Sequence, residues 1–343
     1  MASERRRSSR RGALIGGLAV VALLGLLAYG LASFVVYDQV GRAPGECWPA
    51  DRANTPTDYA VPDPFDRDLP EAWPLPDPQE IRFASRDPEL AGRSLAAWWI
   101  PADDRHPADA PAVVLVHGIQ SCRREANVLL PAAMLHRAGY SVFLMDLRDH
   151  GDSDGDDGRF AGGTEEHLDV LGGWDWVADQ GVARQRIGIL GLSFGSVNAI
   201  IAGAQEPRVR GVWADSAPAR TDEAIGLFLA SQLHDETGLS RVLVPGALLW
   251  ARIIAGDDLV AFDPIEEVDA YQGRSIAFVH GEADAVLPAT FATELHDRAI
   301  AAGAMTPDAW IVPGAGHTEA VYVEPDGYAE RLVAFFSAAL NAP

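Results

Sequence analysis

Arg186 to Ile200 read RIGILGLSFGSVNAI. An apolar run enters a glycine-flanked turn, Gly191-Leu192-Ser193-Phe194-Gly195, and leaves it in a helix-forming pattern. A serine held between two glycines, where a buried strand meets a helix, has two readings. It is either a nucleophile on a strained turn or an ordinary turn serine. The surrounding pattern decides between them.

Outward from this turn, short apolar runs alternate with helical stretches. AVVLVHG (112–118) is a wholly apolar run of the kind buried on both faces of a parallel sheet. The spacing predicts a helix over 123–137, a strand in SVFLMDLR and a helix over 165–179. RIGIL is then a strand, 196–204 a helix and VRGVWADS a strand. Further on come the strand SIAFVHG, the helix 289–302, the strand AWIVPG and the helix 328–340. Upstream, EIRFAS and SLAAWWIPA read as a hairpin. Strands alternating with helices give a mostly parallel α/β sheet with helices on both faces.

Ligands of such sheets bind at the carboxyl ends of the strands. The reactive residue types collect there. His117-Gly118 ends one strand, Asp146 the next, Ser193 the third, Asp215 the fourth and Asp284 the fifth, and His317 follows the last. GLSFG fits G-x-S-x-G between strand and helix. DLRDHGDSDG, HGEADAVLP and GAGHTEA follow the pattern of segments that bear a bracing loop, an acid and a histidine. Together these segments resemble the α/β-hydrolase superfamily from about residue 79 to the C-terminus. WADSAP and the small insertion after it resemble Bem46-type serine hydrolases most. Asp149 stands where that family usually has glycine.

The resemblance implies a catalytic triad of Ser193, Asp284 and His317, in which the histidine takes the serine's proton and the aspartate orients the histidine. It implies an oxyanion hole from the backbone amides of Ile119 and Phe194. Asp215 is the competing acid; its Ser-Ala-Pro continuation reads as a tie between the insertion and the sheet. His117, Asp146, Arg148 and His150 read as loop-bracing residues, and His280 as a strand-end residue beside the acid turn. The family places its cap at 218–260, and Phe228, Leu229, Leu249 and Trp250 are candidates to line an acyl pocket.

The N-terminus carries a different signal. Residues 1–12 form a basic tail expected to stay cytoplasmic. Residues 13–37 are uncharged and mostly apolar; about 25 helical residues span roughly 37 Å, enough to cross a bilayer. They are expected to be a transmembrane helix or signal anchor, with secretion after signal cleavage as the alternative. Residues 38–78 are proline-rich and read as a stiff linker, wrapped in part on the domain through Trp48, Tyr59, Phe65 and Trp73. The hydrolase domain is expected over 79–343, outside the cytoplasm.

The chain's 27 basic residues are all arginine, against 49 acidic ones, a net charge of −22. Such a body repels phosphate backbones, which argues against a nucleic-acid partner. Asp152, Asp154 and Asp156 have the spacing of three calcium ligands, but the sixth and twelfth positions of the loop are wrong, so a solvated acidic loop is expected and no metal or cofactor. Cys47 and Cys122 lack metal-ligand spacing; they can pair only if the fold brings their Cα atoms together, and two free thiols are the plainer expectation.

The expected function is hydrolysis of carboxylic esters on a small-molecule acyl substrate, through an acyl-enzyme. A peptidase, thioesterase or acyltransferase uses the same triad. A non-catalytic binding protein on this fold is the alternative from another class.

Overall fold

A computed structural model describes residues 2–43, 45, 47, 51–65, 73–102 and 109–340. Eight strands form one sheet: β1 (Gln79–Phe83), β2 (Leu95–Ile100), β3 (Ala112–Val116), β4 (Ser141–Met145), β5 (Ile187–Leu192), β6 (Gly211–Asp215), β7 (Ser275–Gly281) and β8 (Trp310–Val312). Their spatial order is β1-β2-β4-β3-β5-β6-β7-β8. The β1–β2 hairpin is antiparallel and meets β4 antiparallel; every pairing from β4 to β8 is parallel.

The all-apolar runs are the central strands because both their faces are covered. Every residue of β3, β4, β5 and β6 is buried. On one face lie α2 (Ala126–Arg137), α9 (Ala320–Val323) and α10 (Pro325–Ala339), packed on Val113, Leu115, Leu190 and Trp213. On the other lie α3 (Glu166–Asp179), α4 (Phe194–Gln205), α7 (Pro264–Glu267) and α8 (Thr290–Ala301), packed on Val114, Val116, Ile189 and Val212. α4 begins at Phe194, earlier than the pattern shows, because the turn enters the helix directly after the serine. α2 begins three residues late, since Arg123 is turned into the interior.

Between β6 and β7 the chain makes the cap: α5 (Thr221–Gln232), a 3₁₀ turn (Leu239–Leu243) and α6 (Val244–Ile254). α1 (Ala2–Val40) is one continuous helix. Its residues 14–28 are exposed on all sides, whereas Ser33, Val36 and Tyr37 are buried against the body.

The described parts of the proline-rich segment lie on the domain. Tyr59 and Leu75 are buried, Phe65 stacks on Tyr322, and Arg137 lies over the Trp73 ring. Trp48 lies outside the described residues. The two cysteines are not free: Cys47 and Cys122 form a disulfide, with Cα atoms 5.3 Å apart. Asn54 brings them together. Its amide donates to the Arg124 carbonyl (3.1 Å) and its own carbonyl accepts from the Arg124 guanidinium, fastening the segment beside the start of α2. That contact is tertiary, so spacing alone could not foretell the pair.

Candidate active site

Ser193 sits between β5 and α4 with φ 54° and ψ −119°, a conformation costly for a residue with a Cβ. The neighbours hold it there. Its amide donates to the Asp215 carbonyl at 2.8 Å. A Cβ on Gly191 would run into the Gly195 carbonyl, and one on Gly195 into the Val116 and His117 carbonyls of the adjoining strand. Both glycines are therefore required by close approach. Ser196, one turn into α4, donates its hydroxyl to the Gly191 and Asp215 carbonyls (2.6 and 2.8 Å). It braces the turn from beneath, a role no sequence pattern marks.

His317, in the loop after β8, reaches both partners. Its Nε2 is 2.8 Å from Ser193 Oγ and its Nδ1 is 2.7 Å from Asp284 Oδ2. An ionised carboxylate only accepts, so Nδ1 carries the proton and Nε2 is left to accept from the serine hydroxyl. Asp284, in the turn after β7, is inaccessible to solvent through its side chain. Oδ1 accepts the Val286 and Leu287 amides at 2.8 and 2.9 Å. Oδ2 also accepts from His280 Nε2 at 3.0 Å. Burial pushes this carboxyl up, but the hydrogen bonds from His280, His317 and Leu287 outweigh it and hold Asp284 well below the usual carboxylate range.

His280 is thus more than a packing residue of the strand end. It is fully buried, and its Nε2–H is shared between Asp284 and the Leu287 carbonyl (3.1 Å). Sequence position, four residues before Asp284, was the one available signal.

Asp215 does not reach His317. It accepts from Tyr328 of α10 (2.9 Å) and from the Ser216 hydroxyl (3.0 Å), and burial raises it to about 6. The Ser216 hydroxyl in turn accepts the Thr318 amide at 3.0 Å. Asp215 therefore ties β6 to α10 and to the His317 loop, not to the start of the cap.

On the other side of Ser193, the backbone at Gly118 comes so close that a Cβ there would lie 3.3 Å from Ser193 Cβ. Ile119 follows. Phe194 is the first residue of α4, so its amide precedes the helix's own hydrogen-bond ladder. The loop carrying Ile119 is held by two neutral histidines. Burial pushes His117 down to about 3; its Nδ1–H donates to the Gly118 carbonyl (2.7 Å) and its Nε2 accepts the Leu147 amide (3.1 Å). His150 donates to the Arg148 carbonyl and accepts the Gln120 amide. Buried Arg123 pairs with Asp146 and Asp152, and buried Arg148 with Asp87, Glu165 and Asp169. The acidic loop is accordingly not simply solvated: Asp152, Asp154 and Asp156 are committed to Arg123 and Arg124, to Ser94, and to Arg93.

A small cavity of about 90 Å³ opens on Ser193. Apart from Ser193 and Thr221 its walls are apolar, with Ile119, Phe160, Phe194, Ile225 and Phe228 among them. Of the four residues expected to line an acyl pocket, only Phe228 does so. Leu249 is 57% exposed on the outer side of α6. Trp250 turns away, donating its Nε1–H to the Gly30 carbonyl of α1 at 2.8 Å. Leu229 faces a separate groove beside α1. The cap's second helix is engaged by the N-terminal helix, which the sequence pattern had no means of showing.

Comparisons with known proteins fit this geometry. A family model described as serine aminopeptidase, S33 (Hydrolase_4), matches residues 107–239. An Escherichia coli protein described as an uncharacterized 31.7 kDa protein in the traX-finO intergenic region is 37% identical over 105 residues, covering 29% of this chain and 35% of that protein. Among solved structures, an esterase of Pyrococcus furiosus superposes with a TM-score of 0.59 at 20% identity, covering 77% of this chain and 92% of the esterase. Est1E of Butyrivibrio proteoclasticus, solved with ferulic acid bound, gives 0.55 at 17% identity, covering 75% and 99%. An acylaminoacyl peptidase of Pyrococcus horikoshii gives 0.53 at 18% identity, covering 78% and 42%. The chain has the α/β-hydrolase fold, with an eight-stranded, mostly parallel sheet and an apolar N-terminal helix.

Proposed function

We propose that this chain is a serine hydrolase that cleaves carboxylic esters through an acyl-enzyme, anchored to a membrane by α1. The observation that carries the proposal is the continuous hydrogen-bonded line from Ser193 Oγ through His317 to Asp284, at 2.8 and 2.7 Å. In the proposed cycle His317 takes the Ser193 proton as Oγ attacks the ester carbonyl. The oxyanion of the tetrahedral intermediate is received by the amides of Ile119 and Phe194. His317 then gives the proton to the leaving alcohol, and water repeats the steps to free the acid. Asp284, kept ionised by its hydrogen bonds, stabilises the imidazolium that forms at each half-reaction.

Esters are favoured over peptides by the cleft. Among the described residues its walls carry no charged side chain that would hold a peptide terminus, and an acyl chain suits its apolar lining. The anchor reading rests on Leu14–Gln39, an apolar stretch long enough to cross a bilayer, with the arginine-rich tail ahead of it. The disulfide supports an oxidising compartment for the domain.

The test is hydrolysis of short p-nitrophenyl esters by the full chain in detergent, beside Ser193→Ala. The proposal expects turnover by the native chain and none above background by the variant. Turnover that survives in Ser193→Ala would place the chemistry elsewhere.

A further inference from the structure

α1 does not merely tether the domain; it is built into the cap. Tyr29 donates its hydroxyl to the Val242 carbonyl at 3.0 Å, and Trp250 donates to the Gly30 carbonyl. One turn on, Ser33 packs so tightly on Gly246 that no Cβ would fit there. Phe34 meets Trp250 edge-on, with ring centroids 5.6 Å apart. Four successive contacts fix the helix on α6 and the 3₁₀ turn before it, from Tyr29 onward.

The position of that contact along α1 sets the depth of the cap. A span needs about 20 apolar residues. Counted from Ala13, the first residue after the arginines and Gly12, a span of that length ends near Ala32. The residues that grip α6 are therefore the last turn or so of the span itself. With a span of that length, α6 and the 3₁₀ turn before it would lie at the membrane surface. The same segment is unusually apolar on its outside: Leu239 is 70% and Ile253 62% exposed, and Leu233, Val242, Leu249 and Ile254 are each about half exposed or more. Scattered apolar residues need no explanation, but a cluster continuous with the exposed apolar face of α1 marks an interaction surface.

A groove leads inward from this surface. Ala28, Leu31 and Val35 of α1 form one wall, and Leu233 and Phe228 of the cap form the other. Gln120 also lines it, and the next residue back in the chain, Ile119, lines the Ser193 cleft. Phe228 lines both the groove and the cleft, so the two spaces meet at its side chain.

We infer that the cap is seated in the surface of the bilayer that α1 spans, and that the substrates are long-chain fatty acyl esters dissolved in that bilayer, whose chains reach Ser193 along α1 past Phe228. This deepens the hydrolase and anchor readings above and rests on both. An apolar chain leaving the bilayer along this groove would be covered mostly by apolar side chains, with Gln39, Gln120 and Gln232 the polar ones among them, which lowers the cost of crossing water.

The test uses the full chain in phosphatidylcholine vesicles with two substrates: soluble p-nitrophenyl butyrate, and methylumbelliferyl oleate dissolved in the bilayer. The double variant Leu239→Asp with Ile253→Asp changes only exposed cap residues. It should lower kcat/KM for the oleate about tenfold or more, as a charge forced against the lipid weakens docking, and leave butyrate hydrolysis within about twofold. Ala32→Trp, which fills the groove from the α1 side, should lower the oleate-to-butyrate ratio by a similar factor. An unchanged ratio in both variants overturns the inference while leaving the hydrolase reading intact. No butyrate turnover and no labelling of Ser193 by a fluorophosphonate in the native chain sinks the hydrolase reading, and this inference with it.

Discussion

Asp284→Asn swaps one carboxylate oxygen for an NH₂ group, and the surrounding hydrogen bonds dictate where that group points. Oδ1 accepts two backbone amides, from Val286 and Leu287. Placing NH₂ there would leave two buried donors facing a donor, at about 1–3 kcal/mol each. Placing it at Oδ2 requires only that His317 and His280 change tautomer. That puts the His280 proton on Nδ1, which has no partner among the described residues, and gives up the bond to the Leu287 carbonyl, at about 1–3 kcal/mol for each buried group left unpaired; the other orientation leaves both backbone amides and the NH₂ itself unpaired. The amide oxygen therefore stays on the backbone and the NH₂ faces both imidazoles. His317 is then forced to accept at Nδ1 and carry its proton on Nε2, where it can no longer take the Ser193 proton. The expected result is a fall in kcat on the order of 10⁴, about 5.5 kcal/mol of barrier, with only a modest loss of stability. The assay is kcat on a short p-nitrophenyl ester, with melting temperature measured on the same preparations. Asp215→Asn is the paired control: it should stay within about tenfold of native kcat, because Asp215 has no hydrogen bond to His317 and is linked to its loop through Ser216 and Thr318. If Asp284→Asn keeps kcat within about tenfold and Asp215→Asn gives the large loss, the assignment of the acid is wrong.

Three further outcomes follow from the same structure. Cys47→Ser with Cys122→Ser should lower stability by about 4 kcal/mol in the chain-entropy account, since the bond closes a loop across 75 residues; equal denaturation midpoints for the native and double-serine chains would show that the segment is held without the disulfide. Burial raises Asp215 to about 6 and Glu125 and Glu166 to about 7, so the folded state keeps protons that the unfolded chain has already released. Stability from these groups is full below the ordinary carboxylate range and is lost as pH rises through about 6–7, so the melting temperature should be lower at about pH 8 than at about pH 5.5; a rise over that interval would contradict the burial of these carboxyls. Gly195→Ala should abolish activity or soluble expression, because the Val116 and His117 carbonyls fill the space; a folded, active variant, judged by circular dichroism and ester turnover, would show that the turn has room to relax.

Much of the site is legible in the sequence, for a local reason. β3, β5, β6 and β7 are wholly buried runs, so their apolar sequences mark them. The residues that matter sit at their carboxyl ends in Gly-rich turns, where composition changes sharply. Ser193, Asp284 and His317 stand out in that way, and the structure brings their side chains into one hydrogen-bonded line. What escaped the sequence depends on contacts between distant segments. His280 looks like any strand-end histidine until the turn folds Asp284 back upon it. Cys47 and Cys122 meet where Asn54 and its neighbours fasten the proline-rich segment beside the start of α2. The face of α6 that carries Trp250 reads as a pocket wall, yet it receives α1. α1 is apolar all round, so its sequence has no preferred face to announce that contact.

The most direct test of the central claim is chemical. The full chain in detergent is treated with a fluorophosphonate, digested, and the adduct located by mass spectrometry. One adduct on the peptide containing Gly191–Gly195, assigned to Ser193, is expected, absent from Ser193→Ala and strongly slowed in Asp284→Asn. A native chain that takes up no label, or that carries it on another serine at the same rate in Ser193→Ala, would contradict the account.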